Sequence, residues 1–200
     1  MGANSGSRSR DARLILLVVA GATLVEWSRL LVRREGVAPL EERIFRAAND
    51  ASDSIVVPAR ALMQAGTFGA VPAAAAVALL ARRRRLSAAL AAGGTAAWLL
   101  AKAAKPLGGR QRPEGVLSEV RIREKIAGDL GWPSGHMAVA TTLALIAAPE
   151  VPAWARPMLA GAVASTGFGR MYVGAHLPLD VSAGAGLGMM IAAFVRRLGF

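Results

Sequence analysis

Long apolar runs divided by clusters of arginine constrain this chain more than any other feature. Residues 14–32 are mainly apolar and follow Arg8, Arg10 and Arg13; about 19 residues of this kind suffice to cross a bilayer. A secretory signal is the competing reading of this stretch, because Ala20, Gly21 and Ala22 make a passable cleavage site. Residues 33–54 are mixed in charge, with Leu40, Ile44, Ala47 and Ala48 at helical spacing, the pattern of an amphipathic segment on a membrane surface. Residues 55–81 are next apolar, with Pro58, Gly66 and Gly69 inside. Their strongest part, 68–81, taken alone, is also short enough for a buried soluble helix. Arg82, Arg83, Arg84 and Arg85 form a tight basic turn. Residues 86–104 make a further span that ends in Lys105. Beyond a polar loop, 106–133, three proline-punctuated helices are expected over 137–148, 152–168 and 178–195. The expected fold is all-α: a six-helix transmembrane bundle with a surface amphipathic segment after the first span. It forms one integral-membrane domain, 14–200, behind a Gly/Ser/Arg-rich tail, 1–13, whose composition reads as disordered.

The formal charge of +11 would suggest nucleic acid in a soluble chain. Here the basic residues punctuate apolar stretches, and aromatics are only 5% of the sequence, without interleaved bases. Anionic lipid headgroups are therefore the expected partners, and nucleic acid is not. There is no cysteine, so disulfides and thiolate metal sites are excluded. Two histidines are too few for a histidine cage. No cluster of Asp and Glu near the motifs suits magnesium. The expectation is a site with no metal and no cofactor.

Both histidines lie in chemically loaded motifs. His136 closes Pro133-Ser134-Gly135-His136, and His176 lies between Arg170 and Asp180 in Arg-x5-His-x3-Asp. Upstream, Lys105-x6-Arg112-Pro113 adds two cations. Phosphoryl transfer is catalysed mainly by positioning and charge stabilisation, which Lys105, Arg112 and Arg170 are suited to supply. Ser134 is a natural N-cap for a helix starting near Gly135, whose free N–H groups favour an anion, and Gly135 permits close backbone approach. His176 and Asp180, four apart, share a helix face if that turn is helical, and the carboxylate can fix the imidazole tautomer and leave the other nitrogen to attack. His136 then serves as proton donor to the leaving oxygen and later activates water. Gly184-x3-Gly188 and Gly161-x3-Ser165 read as helix-packing patterns.

With these three motifs in this order, the chain resembles the type 2 phosphatidic acid phosphatase superfamily. The resemblance runs from Lys105 to Asp180, and the six-helix layout extends it over nearly the whole chain. It implies that His176 is the nucleophile, Asp180 its orienter and His136 the acid/base. It also implies that Lys105, Arg112, Ser134, Gly135 and Arg170 bind phosphate, that no metal is required, and that a membrane lipid phosphate is the substrate. Gly169 departs from the family pattern, which has Ser before the arginine, and puts one phosphate-facing hydroxyl in doubt. Trp132 stands where Phe is common.

If all six spans cross, Lys105, His136, Arg170 and His176 face one side. The arginine turn and both basic termini face the other, which the positive-inside rule makes cytoplasmic. The expectation is a multi-pass plasma-membrane protein with an extracytoplasmic site acting on a polyprenyl phosphate, a polyprenyl pyrophosphate or phosphatidic acid. The charges of loop 106–133 either read a sugar or second phosphate or are solvated. Two competing readings remain: a soluble-type acid phosphatase or vanadate-dependent peroxidase on the same site, and a non-catalytic membrane scaffold or lipid carrier.

Overall fold

The computed structural model describes residues 3–125 and 128–199. Among these the protein is helical without named strands: α1 (Ala3–Glu35), α2 (Pro39–Asn49), α3 (Val56–Met63), α4 (Ala70–Leu80), α5 (Arg84–Gly108), α6 (Pro113–Val116), α7 (Gly135–Ala147), α8 (Arg156–Tyr172) and α9 (Pro178–Arg197). Alanine-rich sequence favours helix throughout. Prolines open α2, α6 and α9, where their missing N–H costs nothing. Gly109, in the left-handed conformation at φ 59°, ends α5 and returns its N–H to the Lys105 carbonyl. Residues 3–13, which composition assigns to a tail, are the start of α1, while residues 1–2 lie outside the described residues.

Among the described residues, three helical segments are long and apolar enough to cross a membrane: Asp11–Glu35, Arg84–Gly108 and Pro178–Arg197. The pair Asp53–Gly66 and Ala70–Leu80, bent by 68°, makes a fourth if it is one broken span. The expected count of six is not reached on this measure. α7 and α8 have 13 and 17 residues, short of the roughly 20 that span a bilayer at 1.5 Å per residue. The outward face of α1 carries Ile15, Leu16, Val18, Val19 and Trp27, an apolar surface suited to lipid.

The main core joins α4 and α5 to α7 and α9 through Val71, Leu90, Ala97, Val139, Leu143 and Ile191. Helix α9 is clasped on two faces by glycine. A Cβ at Gly188 would stand 2.7 Å from the Ala138 carbonyl oxygen of α7, and one at Gly186 would stand 2.5 Å from the Gly21 carbonyl oxygen of α1. The Gly184-x3-Gly188 pattern is thus a packing seam, as its sequence suggests. Gly161 is not, since a Cβ there meets nothing within 4 Å.

Helix α2 is amphipathic, with polar as well as apolar residues on its inner face. Leu40 and Ile44 are exposed, whereas Glu41, Phe45, Ala48 and Asn49 are buried. The buried polar pair is explained by what it holds. Asn49 donates to the carbonyls of Arg121 and Tyr172 and accepts from the Arg121 N–H. Arg123 reaches the carbonyls of Asn49, Ala51 and Tyr172 and covers the Tyr172 ring at 4.2 Å. Part of loop 106–133 is therefore stitched to α2 and to the end of α8, rather than solvated throughout.

Candidate active site

The N-terminus of α7, the C-terminal ends of α5 and α8 and the segment before α9 meet at one end of the bundle. They enclose a cavity of about 300 Å³ whose lining includes Lys105, Arg112, Gly135, His136, Arg170 and His176. Six of the eight residues singled out from sequence thus share one wall. The other two, Ser134 and Asp180, lie directly behind it, both fully buried.

Ser134 is the N-cap of α7; its Oγ accepts from the Met137 N–H at 3.4 Å, while its own N–H donates to the Asp180 carbonyl at 2.9 Å. Its hydroxyl thus accepts from the helix and keeps its own proton to donate, while Gly135 and His136 are the parts of this motif that line the cavity. Trp132, two residues earlier, is buried and donates its indole N–H to Ser28 Oγ of α1 at 3.1 Å. A phenylalanine at this position would leave that hydroxyl without the bond.

The cations are set by backbone carbonyls. Lys105 Nζ donates to Leu130 O at 2.7 Å, Arg112 Nε to Gly128 O at 2.6 Å, and Arg112 Nη1 to Ala175 O at 2.8 Å. Arg170 is only 4% exposed and meets Glu124 Oε2 at 3.1 Å, leaving its Nε buried without a hydrogen bond. Buried guanidinium groups of this kind match the oxygens of a tetrahedral anion.

His176 sits between Val173 and Pro178, outside the helices, with Nδ1 3.5 Å from Asp180 Oδ2. The same carboxylate oxygen accepts the Leu177 N–H at 2.9 Å. Burial, and then the charges of Arg170, Arg112 and Lys105, hold the imidazole well below its ordinary pKa of about 6.5. His176 is therefore neutral near neutral pH, the form in which an imidazole nitrogen carries a lone pair for attack.

Sequence reasoning singled out neither Glu41 nor Arg110, and left Glu124 and Lys125 among loop charges that either read a headgroup or are solvated. Glu124 and Lys125 of the loop line the cavity. Glu41 and Arg110, both buried, lie behind Asp180: Arg110 Nη1 is 3.4 Å from Asp180 Oδ1, and Arg110 forks onto Glu41 at 2.8 and 2.5 Å. The one available signal was Arg110 itself, a further arginine two residues before Arg112. The cavity rim also holds the Phe68–Trp98 pair, centroids 4.9 Å apart, with Lys102 Nζ 4.1 Å from the Trp98 ring. Among the described residues, no three His, Asp or Glu side chains gather as a metal-ligand group.

Gly169 is not part of the cavity lining. A Cβ there would stand 3.0 Å from Met63 Cβ and 3.4 Å from the Ala59 carbonyl oxygen of α3. The glycine serves the α3–α8 contact, so the hydroxyl expected at this position would face α3. Gly169→Ser is expected to leave vanadate inhibition within about twofold of wild type while costing about 1 kcal/mol in packing; inhibition constants and thermal midpoints in detergent check this.

A sequence model of the PAP2 superfamily matches residues 84–200. The undecaprenyl-diphosphatase of Sulfolobus acidocaldarius is 30% identical over 96 residues, which are 48% of this chain and 47% of that protein. The chain thus matches about half the length of this curated relative. Two crystal structures share the fold. Aquifex aeolicus LpxE superposes with a TM-score of 0.72 at 22% identity, over 80% of this chain and 96% of that one. The first transmembrane PAP2 type phosphatidylglycerolphosphate phosphatase from Bacillus subtilis superposes with a TM-score of 0.73 at 17% identity, over 95% and 96%.

Proposed function

The chain belongs to the PAP2 superfamily, and from that premise we propose that it is an integral-membrane lipid phosphatase. It hydrolyses the phosphate ester or pyrophosphate of a polyprenyl or phosphatidic acid type lipid through a phosphohistidine. The observation that carries this reading is the shared wall: two histidines and the three motif cations Lys105, Arg112 and Arg170 on one small cavity, with the Asp180 carboxylate against the buried nitrogen of His176. In this reading α7 and α8 are the short members of a six-helix membrane bundle. α2 lies along the surface with Leu40 and Ile44 toward lipid.

The chemistry follows from the placement. The substrate phosphate is drawn between Lys105, Arg112 and Arg170, with the start of α7 at Gly135 supplying backbone N–H groups. Asp180 Oδ2, 3.5 Å from Nδ1 of His176 and not yet hydrogen-bonded to it, holds the proton there once the imidazole closes on it, and Nε2 attacks phosphorus. The bond from phosphorus to the lipid oxygen breaks as His136 gives that oxygen a proton. Water, deprotonated by His136, then attacks the phosphohistidine, releasing inorganic phosphate and restoring His176. The charge stabilisation assigned to a metal ion in other phosphatases falls here to fixed side-chain cations.

A lipid tail has a suitable place. A second cavity, of about 520 Å³, runs between α4, α5, α7 and α8, lined mainly by apolar residues such as Ala74, Val77, Leu90, Ala140 and Leu143. It reaches Ala65, next to the Gly66 that borders the histidines. This favours a lipid over a water-soluble phosphate ester.

The arginine turn and Arg196 gather at the end of the bundle away from the histidines. On the positive-inside rule the site then opens on the extracytoplasmic face of the plasma membrane. Phosphate release from dioctanoyl phosphatidic acid and from a polyprenyl pyrophosphate, measured in detergent, tests the reading. Activity on at least one is expected to persist in EDTA and to be blocked by vanadate. Strict dependence on an added divalent metal would sink the mechanism, and inactivity toward both lipids would sink the function.

A further inference from the structure

Behind the cavity wall Asp180 heads a chain of three buried charges, and the chemistry above does not use the other two, Arg110 and Glu41. Asp180, 0% exposed, faces Arg110, whose two terminal nitrogens fork onto Glu41; Glu41 and Arg110 are each 5% exposed. Further bonds lock the geometry. Arg110 Nη2 donates to the Gly36 carbonyl at 2.7 Å, and Glu41 Oε1 accepts the Leu179 N–H at 2.9 Å. The turn that carries Asp180 is thus fastened twice: Leu177 N–H goes to Asp180 itself, and Leu179 N–H goes to Glu41.

Stability alone is a poor reason for such a cluster. Desolvating three charges costs about as much as their attraction returns, and apolar residues of similar size often do as well. Its position supplies a better reason. Arg110 alone beside Asp180 would hold the carboxylate in place but offset its charge. Glu41 offsets Arg110 in turn, so the three together carry one net negative charge beside Nδ1 of His176. That is where positive charge grows when Nε2 bonds to phosphorus.

We infer that Glu41 and Arg110 are positioning residues for phosphoryl transfer: Arg110 aims Asp180 at His176, and Glu41 keeps that carboxylate's charge effective. The inference rests on reading His176 as the nucleophile. It predicts a defect in the step that loads His176 and none in the capture of phosphate, because neither residue lines the cavity.

The test compares Arg110→Gln, Glu41→Gln, Arg110→Lys and Glu41→Asp with wild type, full length in detergent, using dioctanoyl phosphatidic acid labelled in its phosphate. Initial rates give kcat and KM per folded enzyme, vanadate inhibition reports the cation cradle, and rapid acid-free quenching reports label on His176. The two glutamine variants are expected to lose about 10- to 100-fold in kcat and in labelling rate, with KM and vanadate inhibition within about threefold of wild type. Arg110→Lys and Glu41→Asp keep the charges, shorten or unfork the contact, and recover part of the loss. A purely structural role would lower the thermal midpoint and the yield while leaving kcat per folded enzyme unchanged, and that result overturns the inference. If a glutamine variant does not accumulate, unchanged labelling rates in Arg110→Lys and Glu41→Asp overturn it equally. Wild-type enzyme that turns over without label on His176 refutes the nucleophile assignment instead, so the two failures are distinguishable.

Discussion

Replacing His176 with alanine is expected to lower phosphate release on the order of 10⁴- to 10⁶-fold, the scale seen when a covalent nucleophile is removed. The loss is expected in turnover and not in anion binding. Lys105, Arg112 and Arg170 are fixed by carbonyls and by Glu124 rather than by the imidazole. The variant should therefore still bind vanadate, which equilibrium binding can read beside the assay of phosphate release. The acid side of the wild-type pH profile should not report protonation of His176. Its pKa is pushed down, first by burial and then by three neighbouring cations, so it stays neutral well below the pH at which a free imidazole takes up a proton. An alanine variant with near wild-type turnover would remove His176 from the mechanism.

The second large effect concerns the seam under the site. Gly184→Leu is expected to destabilise the protein by about 3 kcal/mol, near the upper end of ordinary overpacking. The added side chain would grow from a Cβ already colliding with the Ser134 carbonyl and standing 2.9 Å from Met137 Cβ. Ser134 caps α7 and bonds to the Asp180 backbone. Relief of the clash therefore moves the start of α7 away from α9 and spreads the two histidines. Gly161→Leu is the matched control: nothing lies within 4 Å of that position, and a change within about 0.5 kcal/mol is expected. Thermal midpoints in detergent compare the two, and equal midpoints would show that the α7–α9 approach has slack that the static structure lacks.

The motifs made most of this site legible in advance, because phosphate chemistry leaves few choices of residue type. Helices with clear proline starts, such as α9 at Pro178, were legible for a similarly local reason. What escaped was set by distance along the chain. Glu41 is 69 residues from Arg110 and 138 from Leu179, and nothing local in residues 33–54 marks a glutamate destined for burial. The spacing of Leu40 and Ile44 marked an amphipathic segment, and both are exposed; the inner face of α2, turned to loop carbonyls and a buried arginine, carried no such mark. Gly161-x3-Ser165 failed the opposite way at its first member: the spacing is correct, but a side chain added at Gly161 meets nothing within 4 Å. Spacing identifies a face able to pack and is silent on whether a partner arrives.

Because Asp180 stands in the first turn of α9, after every other residue of the site, the site is complete only once the start of that helix has been made. A nascent chain ending before residue 176 has already made Lys105, Arg112, His136 and Arg170. It lacks both His176 and the Asp180 carboxylate that aims it. Glu41 and Arg110 are made early, and about a third of the sequence separates Arg110 from Asp180. Contacts of such long range are slow to form. The Asp180 carboxylate therefore joins the cluster only as α9 packs between α1 and α7.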